Sequence, residues 1–186
     1  SRQQNFREIF NSTHQVNSED RIRWRFNTSA PLRSAPVASG ERLYLGTGDG
    51  RILALNSKSG SLIWELNIGV PINASPTVAG NLVFIGGLDG IVRAVDVHTG
   101  APMWEFVTDG LIYSAPIVHD GELYVGSTDR RLHVLDAMTG EMRWSYLTDG
   151  WITTTPAIHD GVVAITSYDS KLYILDVSNG ELIMDY

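Results

Sequence analysis

An all-β chain built from four copies of one four-stranded antiparallel unit is what this sequence predicts, and three observations predict it. The first is a 40-residue period: Trp24, Trp64, Trp104 and Trp144 keep that spacing, as do Pro36, Pro76, Pro116 and Pro156, and Gly60, Gly100, Gly140 and Gly180. The second is that each period holds four short apolar runs with period-two alternation. In the third copy they read "IYSAPIV", "ELYVGST", "RLHVLDA" and "EMRWSYL", rich in the residues that strands favour. The third is the punctuation. "SG", "AG", "HDG" and "HDG" separate the first two runs of each copy, and "GDG", "LDG", "TDR" and "YDS" the next two. Gly and Asp at these places suit tight hairpin turns with positive φ. Helical periodicity and capping patterns are absent over 27–186. Four antiparallel strands in every 40-residue repeat describe a propeller blade.

The blades are expected at about 31–67, 71–107, 111–147 and 151–186. An outer strand at 22–27 precedes them, and residues 1–20 form an N-terminal extension. Within each blade the fourth run is the outermost strand, and it carries the tryptophan in the first three and Met184 in the last. The turn before it has a mechanical reading. Asn56, Asp96, Asp136 and Asp176 stand where the third strand ends, and their side chains can accept bonds from the turn's own backbone. Ser59, Thr99, Thr139 and Asn179 add a second local bond, and the glycine that follows supplies a left-handed residue. Trp24, Trp64, Trp104 and Trp144 then pack as flat plates against the neighbouring blade, which makes the phrase structural. Asp49, Asp89, Asp129 and Asp169 belong to the hairpins between second and third strands.

These residues carry a family resemblance. Ala94, Asp96, Thr99, Gly100 and Trp104 resemble the tryptophan-docking motif Ala-x-Asp-x-x-Thr-Gly-x-x-x-Trp of the PQQ-like β-propeller repeats, which quinoprotein alcohol dehydrogenases share. Gly60 and Trp64, and Asp136, Gly140 and Trp144, are near matches, and the fourth copy departs with Ile174, Asn179 and Met184. The resemblance covers about residues 22–186. WD40 repeats share the spacing, but there the Trp precedes Asp, whereas here Arg25, Glu65, Glu105 and Ser145 follow it. Members of the family usually close with seven or eight blades, so four copies imply half a ring. A half-ring is either a fragment of a longer chain or a protomer that pairs with a copy of itself.

Composition bounds the function. The 186 residues carry a net charge of -7, and the acidic balance lies beyond residue 26, which disfavours nucleic acid. Arg21, Arg23 and Arg25 alternate with Ile22, Trp24 and Phe26, as on the solvent face of a strand. No apolar run approaches the ~20 residues of a membrane-spanning helix. The opening "SRQQNFREIF" has neither an initiator Met nor a hydrophobic segment, as expected where a leader or lipid anchor has been removed, so any membrane attachment would run through that anchor. With no cysteine, disulfides, thiolate metal sites and a Cys nucleophile are excluded.

The resemblance raises quinone chemistry, because the dehydrogenases hold pyrroloquinoline quinone and calcium through a vicinal Cys pair, a Glu-Asn-Asp set and a catalytic Asp. This sequence has no Cys and no stretch matching that set, so no cofactor is expected. His119 and His159 occupy equivalent places before "DG", but two histidines without a third ligand type do not make a metal site. A binding site is expected where the copies differ. Arg33, Asn73, Tyr113 and Thr153 form one polar row beside Leu32, Ile72, Ile112 and Ile152, near the mouth of the central channel. Trp151 is the one Trp out of docking phase, and Asp109 and Asp149 lie in the "TDG" connections. Two function classes follow. One is a non-catalytic extracytoplasmic scaffold or sensor, similar to the propeller lipoprotein of the outer-membrane β-barrel assembly machinery, whose partner is another protein or a small ligand at the channel mouth. The other is a quinone-binding propeller whose site a missing half completes.

Overall fold

The computed structural model describes residues 22–186, and the extension expected over 1–20 lies outside them. The described chain folds into four four-stranded antiparallel sheets, each in sequential strand order. The first blade holds β1 (Val37–Ser39), β2 (Arg42–Gly46), β3 (Arg51–Asn56) and β4 (Leu62–Asn67). The second holds β5 (Thr77–Ala79), β6 (Leu82–Gly86), β7 (Ile91–Asp96) and β8 (Pro102–Val107). In the third are β9 (Ile117–His119), β10 (Glu122–Gly126), β11 (Arg131–Asp136) and β12 (Met142–Leu147), and in the fourth β13 (Ala157–His159), β14 (Val162–Thr166), β15 (Leu172–Asp176) and β16 (Leu182–Asp185). The architecture is the all-β propeller blade repeat.

The two middle strands of the first three blades are nearly continuous buried runs because both their faces are covered, whereas β14 and β15 alternate buried and partly exposed residues. Leu82 to Gly86 are all buried, as are Val92 to Val95. The outer strands are largely exposed, with the tryptophan turned inward in the first three blades and β16 exposed throughout, and one irregularity is repeated in every blade. Ala94 faces Trp104 while Val95 faces Pro102, which leaves Met103 as an extra residue on β8. The same shift recurs in the other three blades. Such a bulge re-aims the neighbouring side chain, here the docking tryptophan.

The core lies between blades. One cluster joins Tyr44, Ile52, Ala54 and Trp64 of the first blade to Ile72, Val83, Ile85, Val95 and Val97 of the second. Equivalent clusters join the second to the third and the third to the fourth. At each junction a tryptophan lies on the glycine of the next docking turn. A Cβ on Gly100 would fall 2.6 Å from Trp64, and at φ +73 the residue is left-handed as well, so only glycine fits. Trp64 and Trp104 donate from Nε1 to the carbonyls of Val97 and Ala137, at 3.1 Å each. A second glycine, at the end of the second strand in the first three blades, receives the isoleucine of the following blade: Cγ2 of Ile112 comes within 2.2 Å of where a Gly86 Cβ would be.

One expectation needs correction. Ile22 to Asn27 belong to no ladder. Trp24 nevertheless lies on Gly60 and donates to the Ser57 carbonyl at 3.0 Å, as an outer-strand tryptophan should. The segment occupies the outer-strand place, but no inner strand stands beside it among the described residues to supply hydrogen bonds. Arg23 and Arg25 face solvent there.

Candidate functional site

Two sets of turns face opposite ways. The lower set holds the first hairpins and the docking turns. The upper set holds the hairpins between second and third strands and the connections from each outer strand to the next blade. In the lower set, Asp96 Oδ1 accepts from the amides of His98 and Thr99 and from the Thr99 hydroxyl, at 2.9, 2.8 and 2.8 Å. The Thr99 hydroxyl and amide hold the Asp96 carboxyl below the usual aspartate range. Asp136 is lowered first by the Thr139 amide and then by the Arg143 guanidinium. The Oδ1 atoms of these turn residues are spent on the turn itself, while the carbonyls of Ser57, Val97 and Ala137 receive the tryptophan of the preceding outer-strand position.

The upper hairpins spend their acids in the same way. Asp89 accepts two bonds from Arg93, at 3.1 and 2.6 Å, and Arg93 also reaches Glu105. Burial is the strongest influence and works to raise the Asp89 carboxyl, but the Arg93 bonds, the Ile91 amide and the guanidinium charge together outweigh it and the net direction is down. The His133 Nε2 lies 2.8 Å from Asp129 Oδ2, with both side chains 7% exposed. Tyr173 donates to Asp169 at 2.7 Å. These pairs lock the upper hairpins and leave no carboxylate among them free for other chemistry.

What remains on the upper face is aromatic. Trp151, in the connection from third to fourth blade, and Tyr168, in the fourth-blade hairpin, have ring centroids 5.8 Å apart and planes tilted by 48°. The Tyr168 amide donates to the Trp151 carbonyl at 2.9 Å, which fixes the two backbones together. The rings stay 53% and 70% exposed, unusual for large aromatic side chains. They form a wall between two depressions. On one side Tyr113 and Thr153 complete a hollow of about 380 Å³. On the other stand Arg130, Asp149 and Gly150.

The structure thus brings together Tyr113, Trp151, Thr153 and Asp149, and adds Tyr168 and Arg130, which sequence reasoning had left inside turns. The signal was available in one row: Gly48, Leu88, Thr128 and Tyr168 are equivalent positions, and Tyr168 is the outlier. Arg33 is exposed on the first-blade connection, away from the hollow. Asn73 turns inward, and its Oδ1 is buried with no partner. Asp109 is exposed, and its amide donates to Asp129 Oδ2 at 3.2 Å, tying connection to hairpin.

A family model described as outer membrane protein assembly factor BamB matches residues 12–118 and, overlapping, 89–183. The chain belongs to this family. The BamB structure from Moraxella catarrhalis superposes with a TM-score of 0.80 at 23% identity, over 87% of this chain and 55% of that one. Two quinohemoprotein alcohol dehydrogenases, ADHIIG from Pseudomonas putida HK5 and that of Comamonas testosteroni, give TM-scores of 0.78 and 0.80 at 17% and 15% identity. They match over 88% and 89% of this chain, and this chain spans 35% and 36% of theirs. At such identities the likeness shows the propeller fold alone. Among curated proteins none matches.

The residues present do not fit a quinone-and-calcium site. The sequence has no cysteine, the aspartates of the docking turns and upper hairpins are bonded to neighbours in or beside those turns, and the described residues hold no group of three His, Cys, Asp or Glu placed to share a metal.

Proposed function

We propose that the chain is a non-catalytic propeller of the bacterial envelope, outside the cytoplasm, that serves outer membrane protein assembly by holding a partner protein on its upper face. The observation that carries this reading is the Trp151–Tyr168 pair, two rings kept in solvent by a rigid backbone tie. Exposed aromatics with one polar end are the usual anchors of protein interfaces. Tyr113 and Thr153 extend the surface on one side, Arg130 and Asp149 give it a charged margin on the other, Asp109 belongs to its polar rim, and Arg33 stands apart on the first-blade connection. The family description, an assembly factor, supports a protein partner over a small molecule. The reading includes a second partner, another copy of the chain, which would complete a ring of eight blades.

Site-specific photocrosslinking in a bacterium with an outer membrane tests the upper face. A photoreactive residue at position 168 is expected to give a discrete adduct, and one at His98, on a lower turn, none. Equal labelling from both positions would overturn the assignment of the face. Titration with pyrroloquinoline quinone and calcium is expected to leave tryptophan fluorescence unchanged, and stoichiometric binding would overturn the non-catalytic reading.

A further inference from the structure

The hairpin between second and third strands ends on glycine in the first two blades and on a side chain in the other two. Gly50 and Gly90 stand at φ +90 and +77, and Arg130 and Ser170 at +72 each. The left-handed region favours glycine, so an arginine there costs stability that Gly50 and Gly90 do not. The connection to the next blade also presses on this position. A Cβ on Gly50 would fall 2.5 Å from the Val70 amide nitrogen, and one on Gly90 2.4 Å from the Gly110 carbonyl oxygen. In the third blade the connection is still fastened, since the Thr148 amide and hydroxyl donate to the Arg130 carbonyl at 2.8 and 2.9 Å. Beside that fastening lies the hollow of about 290 Å³ lined by Arg130, Asp149, Gly150, Trp151 and Tyr168.

The charge in this hollow is not balanced. Asp149 has Lys171 at 3.5 Å, and Lys171 also reaches Asp185 at 3.4 Å. Arg51, Arg93 and Arg143 each pair with a carboxylate. The Arg130 side chain is exposed, and its guanidinium has neither ion pair nor hydrogen bond among the described residues. A costly backbone conformation and an unmatched charge therefore fall on one residue, beside the Trp151–Tyr168 wall.

We infer that Arg130 selects the partner: its guanidinium receives an aspartate or glutamate side chain of the partner protein, and apolar residues of the same segment lie on Trp151 and Tyr168. This rests on the reading that the upper face holds a partner protein. A guanidinium presents a planar fork that matches a carboxylate, and the pair is strengthened where neighbouring rings exclude water. A single carboxylate is matched one for one. A phosphate would bring up to about two negative charges against one guanidinium, with Asp149 in the same hollow, which disfavours a lipid headgroup. The acid belongs to the interior of a segment and not to a chain end, because the hollow with Tyr113 and Thr153 continues across the wall and gives the segment a way through. All these groups belong to the third and fourth blades, whose shared core lies within the described residues.

The test keeps the photoreactive residue at position 168 and changes position 130. Arg130→Gly restores the residue of the first two blades, so its urea midpoint is expected to be no lower than that of the unsubstituted chain. Its adduct yield is expected to fall about tenfold, the loss of one charged hydrogen-bonded contact. Arg130→Lys is expected to keep more of the yield than Arg130→Gly, and Arg130→Glu to keep none. Mapping the adduct is expected to place an Asp or Glu within a few residues of the link. Changing that acid to Lys is expected to restore the adduct to the Arg130→Glu chain, a reversal that a structural role of Arg130 would not give. Failure of the reversal, or an adduct that forms equally with every residue at 130, would overturn the carboxylate and leave the upper-face reading standing. No adduct from the unsubstituted chain would overturn both. A link mapped to a chain terminus would overturn the inference alone, and a link to a lipid would overturn it together with the protein partner.

Discussion

The lower and upper turns of this propeller are built from the same residue types and do opposite things. Below, Asn56, Asp96, Asp136 and Asp176 each bind their own turn, and the tryptophan of the preceding outer-strand position lies on the glycine that follows. Above, the equivalent positions drift from Gly48 to Tyr168, from Gly50 to Arg130, and from Pro31 to Trp151. The lower turns are held constant because a backbone conformation and a close ring contact depend on them. The upper turns are free to vary once their aspartates have locked the hairpins. Variation on a fixed scaffold is where recognition is found.

Tryptophan gives the hardest test of this contrast, since one residue type occurs in both sets. Trp104→Ala is expected to cost about 3–5 kcal/mol, read as a lowered urea midpoint, whereas Trp151→Ala should stay within about 0.5 kcal/mol. Similar losses from both would erase the distinction. Gly86→Ala comes next: its Cβ would meet Ile112 Cγ2 at 2.2 Å, and overpacking of that kind costs about 1–3 kcal/mol. An unchanged midpoint would mean the junction can shift to admit a methyl group.

The smallest effect distinguishes one lower turn from the others. The carboxyls of Asp96, Asp136 and Asp176 are lowered by their turn donors, so their contribution is fully present above the ordinary aspartate value of about 3.9. It is lost as pH falls below that value through the lowered native ones. Asn56 makes the same bonds and does not titrate. Amide exchange at Gly100, Gly140 and Gly180, corrected for its intrinsic pH dependence, should therefore accelerate as pH falls below about 4 while Gly60 is unaffected. A parallel rise at Gly60 would assign the effect to general acid loosening.

Most of the scaffold could be read from the sequence, because each 40-residue copy confirms the next and because strand alternation, Asp-x-x-Thr-Gly and the tryptophan are local signals. What could not be read depends on neighbours far apart in the chain. Tyr168 joins Trp151 and Tyr113 only when a hairpin and two connections converge. The inward turn of Asn73 depends on packing that its exposed equivalent Arg33 does not share. Ile22–Asn27 has the composition of a strand and even docks its tryptophan, but a ladder needs a partner, and composition cannot supply one.

Where it forms, the docking bond spans 33 residues, from Trp24 to Ser57, Trp64 to Val97 and Trp104 to Ala137. Trp144, whose Nε1 is buried without a partner, holds the fourth blade by ring contact on Gly180 without that bond, so fastening runs from one blade to the next. Nucleation can begin at any junction, and loss of one leaves the rest intact. Under tension applied to the two ends, such a chain has no single breaking point. It would yield one blade at a time, each release freeing roughly 130–145 Å of extended backbone, and the molecule would behave less like a shell that bursts than like a row of stitches.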